Sequence, residues 1–194
     1  MKIYLILFFL IIPFSFSKAD NIKDFEIEGI SVGESLLSYL TINEIKTAEE
    51  NATYYKDQKY IIIFLPISSS IYDFIQATYS PNDENYILEA IEGVNDFPND
   101  IDSCNNIKKE ITDEVTNLIK DYDIVEDEGE HEGDTYGLSV AYSTWIYPKA
   151  GGYFSVTCVD YSDEAKNEMG WIDGLSVVVG SEKLKQFLMN EAYK

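Results

Sequence analysis

Arginine is absent from this sequence and histidine occurs once, so positive charge rests almost entirely on lysine. The 194 residues include 14 lysines against 35 aspartates and glutamates, which gives a formal net charge of −21 at pH 7. Nucleic-acid-binding proteins need a basic patch that neutralises phosphates. The charge therefore excludes a nucleic-acid partner. The simpler interpretation of the charge is that it keeps the protein soluble and monomeric, and the attraction of cations or basic partners is the alternative.

Long apolar runs are also absent, except for one near the N-terminus. The run at residues 3–16 is too short for a transmembrane helix, which needs about 20 residues. It follows a basic start and precedes small residues at Ser17 and Ala19, as is typical of a secretory signal peptide. We expect residues 1–19 to be that signal; cleavage after Ser17 and retention as an anchor are the alternatives. A single domain of residues 20–194 would then occupy the periplasm or the extracellular space, without a membrane span.

Cysteine is scarce as well, with Cys104 and Cys158 only. No C-x-x-C motif occurs, which excludes a thioredoxin-like redox site. In an exported protein an even number of cysteines favours a disulfide. Two buried free thiols and a metal pair are the alternatives. A zinc site needs three or four ligands, however, and His131 is the one nearby candidate.

Apolar residues are abundant enough for a folded core. Hydrophobic residues make up 45% and aromatic residues 14% of the chain, which excludes a disordered protein and fits one globular domain. Periodicity predicts the order α-βββ-α-βββ-α. The predicted strands are 60–65, 71–79 and 86–94, then 138–147, 153–161 and 175–179. The predicted helices lie between 31 and 50, at 100–122 and at 182–192, and loops are predicted at 121–134 and 163–170.

These elements predict an α+β fold of two layers, in which antiparallel β-meanders carry helices packed on one face. Cys104 falls on the apolar stripe of the helix at 100–122, and Cys158 on a core-facing strand position. A disulfide between them would close a loop of 54 residues. Chain entropy assigns such a loop about 4 kcal/mol of stability.

One catalytic motif is present by spacing alone. The stretch from Gly29 to Gly33 matches G-x-S-x-G, the nucleophile elbow of α/β-hydrolases. That elbow needs several parallel strands around it, whereas this chain predicts meanders, and the one candidate base, His131, lies in an acidic segment. We therefore interpret Ser31 as a helix cap and the two glycines as turn residues.

The segment 121–134 is unusually acidic. It holds eight carboxylates: Asp121, Asp123, Glu126, Asp127, Glu128, Glu130, Glu132 and Asp134. Hard cations such as Ca²⁺ favour such oxygen ligands, although the EF-hand register fails because Val125 occupies an acidic position. A solvated flexible loop with an exposed His131 is the simpler interpretation.

Aromatic side chains concentrate in the second predicted meander. They are Tyr142, Trp145, Tyr147, Tyr153, Tyr161 and Trp171. On an exposed face they would bind a sugar, a peptide or a partner surface; the alternative is ordinary core and cross-strand packing. Asn51 begins an N-glycosylation triplet, which matters only in a eukaryotic source.

Three stretches resemble an uncharacterised family of small exported bacterial proteins. They are the start F-E-I-E-G-I-S-V-G-E-S-L-L at 25–37, the strand C-V-D-Y at 158–161 and the strand W-I-D-G-L-S-V at 171–177. A cysteine followed by a helix rich in lysine and glutamate adds to the likeness. The resemblance implies bacterial export and assigns no activity.

The sequence contains no ordered catalytic set and no phosphate-binding loop. We therefore expect a non-enzymatic binding or protein-interaction domain, whose partner is a protein, a peptide or a small ligand. Two alternatives remain at this point. One is a carboxylate-based hydrolase, with two acids about 5–10 Å apart across a cleft. The other is a calcium-binding protein that uses the segment 121–134. No catalytic residue is assigned, and Ca²⁺ is the sole cofactor considered.

Overall fold

The computed structural model describes residues 21–55, 58–131 and 133–192. The predicted signal peptide at 1–19 and the acidic residue Glu132 lie outside these ranges. The strands are β1 Glu26–Ile27, β2 Ile30–Ser31, β3 Thr53–Tyr54, β4 Ile61–Phe64, β5 Phe74–Tyr79, β6 Leu88–Asp96, β7 Tyr122–Glu130, β8 Val140–Pro148, β9 Tyr153–Asp160 and β10 Gly174–Gly180. The α-helices are α1 Ile42–Glu49, α2 Ile101–Leu118, α3 Asp163–Met169 and α4 Glu182–Asn190, and short 3₁₀ turns occur at Ile22–Asp24 and Leu36–Ser38.

Eight of the strands form one antiparallel sheet in the order β3-β4-β5-β6-β10-β9-β8-β7. It consists of two four-stranded meanders that meet where β10 pairs with β6 along its whole length. The predicted α+β class with antiparallel strands is confirmed. The remaining pair, β1 and β2, is a hairpin whose turn has positive φ at Glu28 and Gly29, as a type I′ turn requires.

Helices cover both faces of this sheet, which differs from the predicted layout on one face. In β9, Cys158 points toward α2, and we call this side the disulfide face. Tyr153 points the other way and packs against Leu184 and Phe187 of α4; we call that side the cleft face. The reason is visible in β9, where nearly every residue is buried and both faces therefore need cover.

The disulfide between Cys104 and Cys158 is confirmed, with a Cα–Cα distance of 6.0 Å. Both cysteines are fully buried, beside Val156 and Leu175. The bond fastens the first turn of α2 to the centre of the sheet. Asp100 caps this helix by accepting the Ser103 N–H, and the helix ends before the predicted residue 122.

Two predicted loops are instead regular elements. Residues Tyr122–Glu130 form β7, an edge strand with exposed side chains. It pairs with β8 over nine positions, and Lys149 forms an ion pair with Asp123. Residues Asp163–Met169 form α3, which Ser162 caps and Gly170 ends in the left-handed conformation. Ser31 is also not a helix cap, because it lies in β2.

No helix in the part of the chain that the structure describes is long and apolar enough to span a membrane.

Candidate binding cleft

A cleft of about 480 Å³ opens on the cleft face of the sheet, within the usual range for small-molecule sites. Its floor is formed by β5, β6 and β10 through Gln76, Glu92 and Ser176. These three side chains share one face because strand residues alternate and the three strands are paired in register. The sheet therefore supplies a rigid polar floor.

The carboxyl group of Glu92 is the central polar group of the floor. Glu92 is partly buried, and Ser176 Oγ donates a hydrogen bond of 2.5 Å to its Oε1. Burial raises the pKa of Glu92 above its ordinary value, because it penalises the charged form, and the Ser176 hydrogen bond opposes that shift. The floor of the cleft therefore holds a carboxyl group that burial has largely desolvated.

Two aromatic pairs form the walls. Phe64 of β4 and Phe74 of β5 lie with ring centroids 5.3 Å apart. Across the cleft, Tyr161 and Trp171 lie 4.9 Å apart. Phe64 is 49% exposed, so its ring is available to a ligand. The negative faces of such rings attract organic cations.

The wall that carries Trp171 is held by a buried carboxylate. Asp173 is 1% exposed and accepts the Tyr161 N–H at 2.8 Å and the Asn99 N–H at 3.0 Å. Lys166 of α3 completes the set with its Nζ 2.8 Å from Asp173 Oδ2. These bonds tie the loop after α3 to the end of β9.

Negative charge dominates the surroundings of the cleft. Burial raises the pKa of Tyr161 to about 12, and the carboxylates of Glu92 and Asp173 add to the effect. Asp96 lies at the rim, where burial and the neighbouring Asp73 both raise its pKa. No lysine is among the described residues that line the cleft. The ionisable residues that line the cleft are therefore acids and a tyrosine.

Two acids of β6, Glu92 and Asp96, line the cleft. They are four residues apart on one strand, and a rise of about 3.3 Å per residue separates their Cα atoms by roughly 13 Å. In addition, the Asp96 backbone N–H donates a hydrogen bond to Asp73 Oδ2 at 2.8 Å, which connects the end of β6 at the rim to the residue before β5.

No protein-family model, no curated protein and no solved structure matches this chain.

The predicted aromatic set is divided among three places. Trp171 lies in the cleft wall, together with Tyr161. Tyr142 packs on the disulfide face beside the buried cysteines. The other three pack near α4; they are Trp145, Tyr147 and Tyr153. Three of the six aromatic residues thus contribute to the layer between the sheet and α4.

The predicted acidic ligands are also kept apart. In β7 the side chains alternate, with Asp123 and Asp127 on one face and Glu126 and Glu128 on the other. Among the described residues, no group of three or more His, Cys, Asp and Glu side chains is arranged to hold a metal ion. In residues 122–130 the carboxylates are therefore distributed over both faces of an edge strand.

At the end of the acidic segment, Asp134 has a structural role. Its Oδ2 accepts the Ser139 Oγ–H at 2.6 Å and the Ser162 Oγ–H at 2.9 Å. These and two backbone N–H donors lower its pKa to about 2. His131, expected in solvent, is partly buried with its ring edge-on to Tyr161 and Trp171.

Sequence reasoning did not identify the floor of the cleft. The usable signal was a pair of glutamates in β6, a strand that is otherwise buried. Glu89 is accounted for, because Ser181 Oγ and Lys183 Nζ both donate to it at 2.6 Å. Among the residues that the structure describes, the Ser176 hydroxyl is the side-chain donor to Glu92, which faces the cleft.

Proposed function

We propose that this protein is a non-enzymatic binding protein whose cleft takes an organic cation, such as an alkylammonium group or a lysine side chain. The observation that carries the proposal is the position of Glu92, a partly buried carboxylate between two aromatic pairs and without a lining lysine. A carboxylate at the base and ring faces at the sides are the groups that recognise ammonium ligands.

The net charge of the chain supports the same ligand class. At −21, the protein attracts cations over distances of about a Debye length, roughly 8 Å at physiological ionic strength. The cleft then adds specificity at short range, because a desolvated carboxylate and aromatic faces favour an ammonium over hydrated Na⁺ or K⁺. The alternative, a hydrolytic function, would need a second acid at catalytic spacing, and Asp96, the other acid of the lining, lies four residues from Glu92 on the same strand.

Export remains part of the proposal. The signal-like residues 1–19 and the Cys104–Cys158 bond both favour an oxidising compartment, periplasmic or extracellular. N-terminal sequencing of protein from the periplasm or medium should find a chain that starts at Asp20. Recovery of full-length, reduced protein from the cytosol would contradict export and leave the cleft proposal intact.

Calorimetric titration with choline and with its uncharged isostere 3,3-dimethylbutan-1-ol tests the cleft directly. We expect choline to bind and the isostere to bind at least tenfold more weakly. Nα-acetyl-lysine amide and a lysine-containing peptide distinguish a small ammonium ligand from a protein side chain. Equal affinity for choline and the isostere would refute recognition of charge.

The matched variants are Glu92→Gln and Glu114→Gln. Both remove one negative charge, but Glu114 is exposed on α2, away from the cleft. We expect Glu92→Gln to weaken choline binding at least tenfold and Glu114→Gln to leave it unchanged. Because the pKa of Glu92 is raised, wild-type affinity should increase as pH rises through that pKa, and the Gln variant should lose this dependence.

A further inference from the structure

The strand β7 forms a long free edge of the sheet. It pairs with β8 along all nine residues, Tyr122–Glu130, and no described strand pairs with its other side. Every one of its residues is exposed. The opposite edge of the sheet is β3, which is only two residues long. Natural sheets usually shorten, bulge or cover their edges, and β7 has a continuous register with β8.

Hydrogen bonds at the two ends of β7 show which backbone groups face outward. The His131 N–H donates to the Ser139 carbonyl, and the Lys149 N–H donates to the Asp121 carbonyl, both at 2.9 Å. Odd-numbered positions are therefore the hydrogen-bonded pairs with β8. The even-numbered residues of β7 direct their N–H and C=O groups away from β8, toward the free edge.

The charges on the side chains of β7 determine which kind of strand can pair with its free edge. Five of its nine residues are carboxylates and none is a lysine. Glu126, Glu128 and Glu130 alternate along one face, about 7 Å apart. A strand added at the edge would hold its own side chains about 5 Å from these carboxylates. A second copy of β7 would bring acid against acid, which is unfavourable.

We propose that the free edge of β7 binds an extended, lysine- or arginine-rich segment of a partner protein as an added ninth strand of the sheet. The backbone groups of the even-numbered residues supply the hydrogen bonds, and the carboxylates select a segment with a cation at every second position. The acidic edge also keeps copies of this protein from pairing with one another. This surface is separate from the cleft and does not depend on the function proposed for it.

Amide hydrogen exchange detects strand addition residue by residue. The probe is a nine-residue synthetic peptide with lysine at alternate positions and valine or threonine between them. Its control has the same composition with the lysines contiguous. We expect the alternating peptide to slow exchange at Ile124, Glu126 and Glu128, while odd-numbered amides, already bonded to β8, change little. Absence of slowing at the even-numbered amides would overturn the proposal.

A proline variant separates backbone pairing from simple charge attraction. Ile124→Pro removes one outward N–H and keeps the bonds to β8, and Ile124→Ala is its control with the same charge. We expect the proline variant to bind the peptide at least tenfold more weakly than the alanine variant. Equal binding would mean that charge alone holds the peptide, which contradicts the proposal.

Two further measurements complete the test. The double variant Glu126→Gln, Glu128→Gln should also weaken binding at the edge at least tenfold, and Glu92→Gln should leave the slowing of exchange at Ile124, Glu126 and Glu128 unchanged. If Glu92→Gln abolished that slowing, the peptide would act through the cleft and the edge proposal would fail. Light scattering should give a monomer without peptide; a dimer that Ile124→Pro dissociates would identify a second copy as the occupant and likewise overturn the proposal.

Discussion

Replacing both cysteines by alanine should lower the free energy of unfolding by about 4 kcal/mol. The disulfide joins residues 54 positions apart, and loss of that cross-link returns loop entropy to the unfolded chain. Alanine is a suitable replacement because Cys104 and Cys158 are fully buried among apolar side chains and a serine would bury an unpaired hydroxyl. For a typical urea m-value of about 2 kcal/mol/M, the unfolding midpoint should fall by roughly 2 M.

Urea unfolding at pH 7, followed by circular dichroism, measures this loss. Wild-type protein in reducing agent is the control, because it keeps both sulfur atoms and loses only the bond. Reduced wild type should account for most of the change, and the variant should not respond to the reductant. A loss below about 1 kcal/mol would refute the cross-link as a main stabilising element of the fold.

Three other substitutions, one of them with a matched control, test packing and buried charge. Gly180→Ala would place a Cβ atom where it overlaps the buried Tyr153 ring, and we expect it to lower the free energy of unfolding in urea by about 1–3 kcal/mol. Its control is Gly129→Ala, whose Cβ atom would meet nothing within 4 Å. The control should change the free energy of unfolding by less than about 0.5 kcal/mol. Asp134→Asn should destabilise the protein at neutral pH. In the folded protein the pKa of Asp134 is lowered to about 2, so the stability that its carboxylate contributes is lost as pH falls toward that pKa. The difference in unfolding free energy between the variant and wild type should therefore narrow as pH falls from about 4 to 2. Asp173→Asn weakens the acceptor of two backbone N–H groups and a lysine; we expect a loss of about 2 kcal/mol and a changed tryptophan emission spectrum.

The sequence predicted the helices and strands in which apolar residues recur at a regular spacing. The stripe of α2 and the strands around Ile63, Ile75 and Ile91 are apolar on a repeating face, and each was predicted within a few residues. The pairing of Cys104 with Cys158 followed from the compartment and the count. The apolar patterns are local, and two cysteines allow only one intramolecular pairing, so a single sequence is enough to predict both.

The missed elements depend on long-range pairing. β7 has no alternation of apolar residues, and it is a strand because β8 offers a complete row of backbone partners. Its carboxylates, which resembled a calcium loop, are tolerated because an edge strand needs no buried face. α3 had usable local signals in Ser162 and Gly170, but it is too short for a visible period.

The cleft was missed for a related reason. Glu92 and Ser176 are far apart in sequence, and they meet only because β10 inserts beside β6. Strand order in a sheet is not readable from a single chain, so the proximity of their side chains was not predictable. Counting unexplained charges in apolar strands would have identified Glu92 as a residue of interest.

The central position of β10 makes the two halves of the protein interdependent. It is the last strand along the chain, yet it lies between β6 and β9 and links one meander to the other. A chain interrupted before Gly174 would contain two short sheets, each with a newly exposed apolar border. Such borders invite aggregation. Premature termination late in translation should therefore yield insoluble material, not a shortened protein with partial binding.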